Sequence, residues 1–314
     1  MPRTAAIPAR FMELLGGAAR AGERARGSGV IAGTRVDANK RHVFSKPGRT
    51  GTGNAEFGAI ARRRSVSRMD VEGEASRVLA ELRAQADPAR AEYEKRYLKS
   101  DFVHIGVPVP ALRKVAVSTV KGKPTRDDLV ALARTFWDVT QEGRPVHEAR
   151  IAAGEVLAKR AVLLEPRDLR LAEELIRDSA SWVYVDHLAE KVVGVLVVRY
   201  PDLAATLDAW VADPYMWIRR TALLALLPGV RGGDPDLGRI DRYGDALIGE
   251  REFFIRKALG WVLRELSKKD PAWVTAWVEP RIDTISGVTL REAVRHLPAA
   301  DVARIKGQTA DQAR

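Results

Sequence analysis

From residue 69 onward, apolar residues recur at intervals of three and four along almost the whole chain, as in Leu129, Leu132 and Phe136. Because an α-helix turns once every 3.6 residues, this spacing places the apolar side chains on one face of a helix. The strict alternation that marks half-buried strands is nearly absent. The spacing therefore predicts an all-α fold for this part of the chain.

Capping residues mark where the predicted helices begin. Asp87-Pro88 and Asp270-Pro271 each place a side-chain acceptor before a proline, and Thr125 has an acid three residues later. Such pairs satisfy the free N–H groups of a first helical turn. The helices predicted in this way are 71–86, 89–99, 109–120, 126–138, 146–163, 167–178, 182–199, 201–212, 215–227, 235–247, 251–268, 271–281 and 288–296.

About a dozen short helices joined by tight turns predict antiparallel pairs that stack into an α–α superhelix, or solenoid. No repeat of fixed length is visible, so we expect divergent repeats of the HEAT-like kind. Arrays of that kind are curved, and their concave face is a natural groove for an extended partner. We expect this helical domain to span residues 71–314.

The first 70 residues differ from the rest of the chain. They carry 14 Lys/Arg against 5 Asp/Glu and contain 10 of the 25 glycines, whereas the remainder has a balance of only +2 within the total of +11. Such a segment buries too little apolar surface to offset the entropy of ordering. Two interpretations stay open: a disordered basic tail that attracts phosphate, or a start assigned upstream of a true start at Met69.

Several classes of protein are excluded or disfavoured. The chain has no cysteine, which excludes disulfides, thiol catalysis and cysteine-bound metal clusters and suits a reducing cytoplasm. No apolar run is long enough for a transmembrane helix, and the N-terminus lacks a secretory signal. No phosphate-binding loop or metal motif is present, and the five histidines show no ligand-like spacing. We therefore expect no cofactor and no metal.

The predicted helix 251–268 has two contrasting faces. One face carries Lys257, Trp261, Arg264 and Lys268, at spacings of four, three and four. An indole among cations can stack on a sugar or a base while the cations meet phosphates. The alternative is a tryptophan packed under a neighbouring helix with solvated cations around it, and the spacing does not decide between them. The buried stripe on the other face consists of Ile255, Leu259, Val262 and Leu266.

Two further segments carry candidate functional groups. Trp182 and Asp186 are four residues apart, so they share a helix face, although an acid in a first helical turn also simply favours the helix dipole. Arg220 lies on an apolar face, and a part-buried arginine needs a carboxylate or a phosphate as its partner. Asp186 is a candidate for that carboxylate, either within a functional site or in a structural ion pair.

Three longer motifs are more specific than the helical spacing. They are Tyr97-Leu98-Lys99-Ser100-Asp101-Phe102 with Ile105-Gly106-Val107-Pro108-Val109-Pro110, then Phe136-Trp137-Asp138, and the run EFFIRKALGWVLRE over residues 252–265. With the segments around Trp182 and Arg220, they resemble the DNA alkylation repair glycosylases of the AlkD-like family, over roughly residues 75–305.

The resemblance implies roles for four residues. Trp182 and Trp261 match the two tryptophans of the family that flank the deoxyribose of the damaged nucleotide, and Asp186 matches its catalytic aspartate. Arg220 matches an arginine that helps to hold the site and the DNA backbone.

The resemblance also implies positions around the site. Tyr97 and Arg264 match family positions in or near the DNA-facing groove, beside Lys257 and Lys268 on the cationic face. The chain departs from the family at Ser181 and Val183, where relatives often carry another aromatic residue and an acid. That departure bears on groove shape and lesion preference.

The function implied by the resemblance is monofunctional hydrolysis of cationic alkylated bases, 3-methyladenine and 7-methylguanine, from duplex DNA without deep base flipping. A solenoid that binds one duplex can work as a monomer. Two other functions stay open: a noncatalytic solenoid that recognises distorted duplex DNA, and a HEAT-type protein scaffold whose tryptophans anchor a partner peptide.

Overall fold

The computed structural model describes residues 69–312, with side chains described up to residue 307. The basic segment predicted over residues 1–70 therefore lies outside the described residues, apart from its last two positions. Of these, Asp70 caps the first helix, because its carboxylate accepts a hydrogen bond of 3.0 Å from the backbone N–H of Gly73.

The described residues are helical almost throughout, which confirms the predicted all-α class. The helices are α1 (Val71–Ala84), α2 (Pro88–Leu98), α3 (Val109–Ala116), α4 (Arg126–Trp137), α5 (His147–Lys159), α6 (Leu169–Ser179), α7 (Trp182–Leu188), α8 (Gly194–Arg199), α9 (Ala204–Trp210), α10 (Met216–Leu224), α11 (Leu227–Gly232), α12 (Leu237–Leu247), α13 (Phe253–Ser267), α14 (Pro271–Val278), α15 (Gly287–Ala293) and α16 (Ala299–Gln312).

Short turns of other helix types extend several of these helices. A π-helical turn, Ala189–Val193, joins α7 to α8, so that one continuous helix covers the predicted span 182–199. The 3₁₀ turns are Val117–Val120, Ala161–Leu163, Pro166–Asp168, Pro201–Leu203, Glu279–Arg281 and Val294–His296.

Three elements differ from the sequence-based prediction. The predicted helix 215–227 ends at Leu224, and α11 begins separately with Pro228 in its first turn, where a missing N–H is tolerated. Helix α16 was not predicted. A hairpin of β1 (Thr140–Gln141) and β2 (Arg144–Pro145) was also missed, because two-residue strands are too short to show a period.

The helices pack in sequence order as stacked pairs. Helices α3, α5, α7, α10, α13 and α15 form one layer in which each member contacts the next. Helices α1, α4, α6, α9, α12 and α14 lie outside that layer. The core between the layers contains Leu132, Val185 and Leu259, each at most 1% exposed. This arrangement is the α–α superhelix expected from the short helices and tight turns.

Among the described residues, we find no helix with both the length and the apolar character that spanning a membrane requires.

Candidate active site

Three neighbouring helices of one layer, α7, α10 and α13, carry most of the residues predicted to be functional. Helix α7 starts at Trp182, directly after Ala180 ends α6 in the left-handed conformation (φ 49°). Its buried face contains Val185 and Leu188, at 0% and 1% exposure. Trp182 and Asp186 lie together on the half-buried face, as their spacing predicts.

Asp186 and Arg220 form a two-pronged ion pair. Arg220 Nε donates to Asp186 Oδ1 and Arg220 Nη2 donates to Oδ2, both at 2.7 Å. The Arg220 side chain is 2% exposed and that of Asp186 is 17% exposed. The ion pair considered from the sequence is therefore confirmed, and Arg220 is buried more deeply than the part-buried position expected.

Helix α13 holds the other side of the Arg220 guanidinium. The Nη1 atom of Arg220 donates to the backbone carbonyl of Phe254 in the first turn of α13. The centre of the Phe254 ring lies 5.7 Å from the guanidinium carbon of Arg220. Trp217 packs on the same ring with centroids 5.0 Å apart. One arginine thus joins α7, α10 and α13.

The ion pair fixes how the carboxylate of Asp186 is oriented. Each of its oxygens accepts one bond from Arg220, and a carboxylate oxygen has a second lone pair. Because Asp186 keeps some exposure, these lone pairs can face a ligand or a water molecule. A carboxylate held in this way can stabilise positive charge beside it without having to reorganise.

Exposure separates the seven tryptophans into two groups. Trp182, Trp261 and Trp273 are only half-buried. The Nε1 atom of Trp261 is buried and donates to no acceptor among the described residues. Two of the three half-buried tryptophans are the pair predicted to be functional. The remaining four, each at most 7% exposed, are Trp137, Trp210, Trp217 and Trp277.

The cations of α13 have acidic partners in this structure. Arg264 bonds to Glu292 of α15, and Lys268 Nζ lies 2.8 Å from Glu265 Oε1. The pKa of Lys257 is lowered by burial first and then by the nearby charge of Arg220, which places its ammonium group close to the ion pair of Asp186. A phosphate group that bound Arg264 or Lys268 would compete with these carboxylates.

A second charge network lies beside Trp261. Glu190 of the π-helical turn bonds to Arg231 of α11, and Arg231 Nε lies 3.3 Å from Glu265. The guanidinium carbon of Arg231 is 5.9 Å from the centre of the Trp261 ring. This network was not predicted from the sequence, because Glu190 and Arg231 are 41 residues apart and neither belongs to a local motif.

Tyr97 lies near the end of α2, where its ring stacks on Tyr93 with centroids 6.2 Å apart. Burial raises the pKa of its phenol group. The segment that follows, Leu98–Phe102, lines a cavity of about 130 Å³ together with Ser181 and Tyr184 at the start of α7. The structure therefore brings the end of the helix of Tyr97 to α7.

One group of possible metal ligands was not predicted. Glu94, His104 and His147 each place a ligand atom within 4.8 Å of the other two. Spacing in the sequence could not reveal this group, because 43 residues separate the two histidines. The histidines show no ligand-like spacing in the sequence, so the approach of His104 to His147 was missed.

Comparisons with known proteins find a matching family model and solved structures with a similar fold. A family model described as DNA alkylation repair enzyme matches residues 78–297, whereas no curated protein sequence matches the chain. The chain is similar to the structure of a predicted DNA alkylation repair enzyme from Enterococcus faecalis, with 22% identity, 68% of this chain and 97% of that chain covered, and a TM-score of 0.60.

Two structures from Streptococcus mutans are less similar. For AlkD2 the identity is 16%, the coverage is 67% of this chain and 100% of that chain, and the TM-score is 0.46. For smu.31 of strain UA159 the corresponding values are 15%, 60%, 93% and 0.45. At 22% identity the Enterococcus structure supports the fold alone.

Proposed function

Since the chain belongs to the DNA alkylation repair enzyme family, we propose that it is a glycosylase that hydrolyses the N-glycosidic bond of cationic alkylated purines in duplex DNA. The substrates are 3-methyladenine and 7-methylguanine. The observation that supports this most is the position of the Asp186 carboxylate. Two nitrogens of the Arg220 guanidinium orient it, and it remains accessible beside Trp182.

The chemistry needs little more than a placed negative charge. Alkylation at N3 of adenine or N7 of guanine makes the base cationic, so the electrons of the C1′–N bond leave with the base, which departs neutral. The sugar becomes oxocarbenium-like, and Asp186 stabilises its positive charge. A water oxygen then bonds to C1′, and its proton passes to the carboxylate or to solvent. No general acid is required.

The two tryptophans assist through their ring faces. Trp182 lies one helical turn from Asp186, and Trp261 lies on α13, the helix that also contacts Arg220. An aromatic face attracts a nearby cation by roughly 0.5–2 kcal/mol, depending on how far water is excluded. We assign both rings to the deoxyribose, where the positive charge develops.

Selectivity in this mechanism comes from the charge of the lesion. A neutral base such as uracil leaves as an anion unless an acid protonates it, so it is a poor substrate for this site. We propose that the lesion is processed without deep base flipping, in contrast to enzymes that enclose the extruded base in a pocket. Efficient excision of uracil by the purified protein would contradict this proposal.

The DNA-binding residues in this proposal are Tyr97, near the end of α2, and Lys257, Arg264 and Lys268, on α13 or directly after it. Arg264 and Lys268 reach phosphates by exchanging their present carboxylate partners, Glu292 and Glu265. Such exchange is feasible because ion pairs near the surface contribute only about 0–1 kcal/mol each. One protomer suffices to bind one duplex.

The decisive experiment measures release of 3-methyladenine and 7-methylguanine from methylated duplex DNA by the wild-type protein and by Asp186→Asn. We expect wild-type release and a loss of about 10²–10³-fold in the variant, the usual effect of removing one preorganised electrostatic contact. Duplex affinity and thermal unfolding are measured in parallel. Intact duplex binding with no release by the wild type would instead support a noncatalytic DNA-binding protein.

A further inference from the structure

A second cluster of functional groups lies apart from Asp186, where α2, the segment before α3 and the start of α5 meet. Glu94 belongs to α2, His104 precedes α3, and His147 is the first residue of α5. Their ligand atoms all lie within 4.8 Å of one another, and the two imidazole rings stack with centroids 4.2 Å apart.

His104 is the least satisfied member of the cluster. Both of its ring nitrogens are buried, and neither has a hydrogen-bond partner among the described residues. A neutral imidazole has one donor and one acceptor, and leaving both unpaired in the interior costs free energy. The unprotonated nitrogen of such a ring has a lone pair that a metal ion can accept.

His147 is held in the orientation that a ligand needs. Its Nδ1 shares a hydrogen bond of 2.7 Å with the hydroxyl of Tyr184, which leaves Nε2 as the nitrogen free to coordinate. Metal-binding histidines commonly have their second nitrogen fixed in this way by a neighbouring polar group.

The charged groups around the cluster include two cations, Arg90 and Lys95, and two carboxylates, Glu94 and Glu148. Glu94 is 5% exposed. Arg90 bonds to Glu94 at 2.6 Å, but its side chain is 31% exposed and can turn to solvent when a metal ion replaces it. Glu94 would then supply the carboxylate ligand, while Glu148 stays bonded to the backbone N–H groups of Ile105 and Gly106.

An entry path is also present. A cleft of about 520 Å³ opens beside His104 and is lined by Ile105 and Phe102 and by the ends of α1 and α2. Around a tetrahedral ion with bonds of about 2.05 Å, ligand atoms lie roughly 3.4 Å apart. Binding therefore requires the three ligand atoms, which now lie within 4.8 Å of one another, to close to about that tetrahedral distance.

We propose that Glu94, His104 and His147 bind a divalent transition metal ion of the zinc class, with water as the fourth ligand. Two imidazoles and one carboxylate are a donor set that suits zinc rather than calcium or magnesium. The ion plays no part in base release. Because Tyr184 lies on α7 between Trp182 and Asp186, the bound ion stabilises the position of the helix that carries the candidate active site.

The test is a titration of the full-length, metal-free protein with Zn²⁺ by calorimetry, and with Co²⁺ by its visible absorption. We expect one ion per chain, an imidazole-containing tetrahedral Co²⁺ spectrum, and a rise in the melting temperature with Zn²⁺. Glu94→Gln and His104→Phe weaken binding by about 100-fold or more, and Tyr184→Phe by about 10-fold.

His187→Gln is the matched control. The Nε2 atom of His187 is also buried without a hydrogen bond and lies 3.9 Å from Glu155, but it has no second histidine beside it. We expect this variant to bind Zn²⁺ like the wild type. Absence of stoichiometric binding by the wild type overturns the proposal. So does unchanged affinity in His104→Phe, or a loss in His187→Gln equal to that in His104→Phe.

Discussion

In the proposed site, Arg220 combines a structural and a functional position in one side chain. It is among the largest fully buried side chains of the described residues, and it bonds to Asp186 and to the carbonyl of Phe254. If Asp186 acts as proposed, a change there alters the chemistry and also leaves a buried charge without its partner. Activity measurements on single variants have to be separated from this effect on stability.

A double variant separates the two effects. Asp186→Leu alone leaves Arg220 buried and unpaired, which we expect to lower the free energy of unfolding by about 3–5 kcal/mol. Adding Arg220→Met removes the charge and recovers most of that stability, because an apolar pair can replace a buried ion pair. Base release stays about 10²–10³-fold below wild type, as the carboxylate is absent. Denaturant unfolding and single-turnover excision measure the two quantities, and a double variant as unstable as Asp186→Leu would contradict the argument.

The half-buried tryptophans provide a second test at this scale. Replacing Trp182 or Trp261 by phenylalanine keeps an aromatic ring but weakens its attraction for a cation, so we expect single-turnover excision to slow by about 10-fold. Trp273→Phe is the control, because Trp273 is also half-buried but lies on α14, where it stacks on Trp277. Equal effects of all three substitutions would show that they act through stability alone.

At the scale of helices, charged groups join helices that lie outside the layer of α7, α10 and α13. Asp208 of α9 accepts hydrogen bonds from Arg239 and from the Tyr243 hydroxyl of α12, at 2.8–3.0 Å and 2.7 Å. The hydrogen bonds from Arg239 are the main reason why the pKa of Asp208 falls to about 2. This carboxylate therefore links α9 to α12.

The link between α9 and α12 predicts a pH dependence. A carboxyl group with a lowered pKa in the folded state stabilises the protein above its unfolded pKa, and this stabilisation disappears as the pH falls from about 4 to 2. After allowance for solvent screening, we expect Asp208→Asn to lower the free energy of unfolding by about 1 kcal/mol at pH 7 and to have no effect near pH 2. Urea unfolding over this pH range measures the difference. The exposed Asp202→Asn serves as the control, and a difference that persists at pH 2 would contradict the assignment.

Helix positions were predictable because their signals are local. The capping box of Thr125 and Asp128 fixes the start of α4, and the predicted span 126–138 agrees with Arg126–Trp137 to one residue. The π-helical turn Ala189–Val193 was not predictable, since it shifts the hydrogen bonding by one residue without interrupting the apolar pattern. The break before α11 was missed because apolar residues continue through it.

The candidate site was predictable from the sequence only where a buried charged side chain requires a partner of opposite charge. An arginine on an apolar face requires a carboxylate, and this led from Arg220 to Asp186. The acidic partners of Arg264 and Lys268 were not predicted, because a cation in contact with water does not require an acidic partner. The approach of His104 to His147 depends on how α5 packs against the segment before α3, which a single sequence does not specify.

For the whole molecule, net charge differs between two parts of the chain. Residues 71–314 have a balance of only +2, and many of their arginines pair with acids on neighbouring helices, as Arg239 does with Asp208. Residues 1–70 carry +9. Long-range attraction to DNA depends on net charge, and local recognition depends on the groups at the site. We therefore assign most of the nonspecific affinity for DNA to the first 70 residues.

A chain that begins at Met69 tests this assignment. The helical part has its own core, so we expect its melting temperature and its base release under saturating protein to match those of the full chain. Its affinity for undamaged duplex should fall by about 10-fold or more at low salt. The plot of log affinity against log salt concentration should flatten by about 0.9 for each phosphate that the shorter chain no longer neutralises. At high salt the affinities should converge, because released counterions no longer favour the longer chain. An unchanged salt slope would place the nonspecific DNA binding on the helical part, where Arg264 and Lys268 would have to exchange their acidic partners for phosphates even without a lesion.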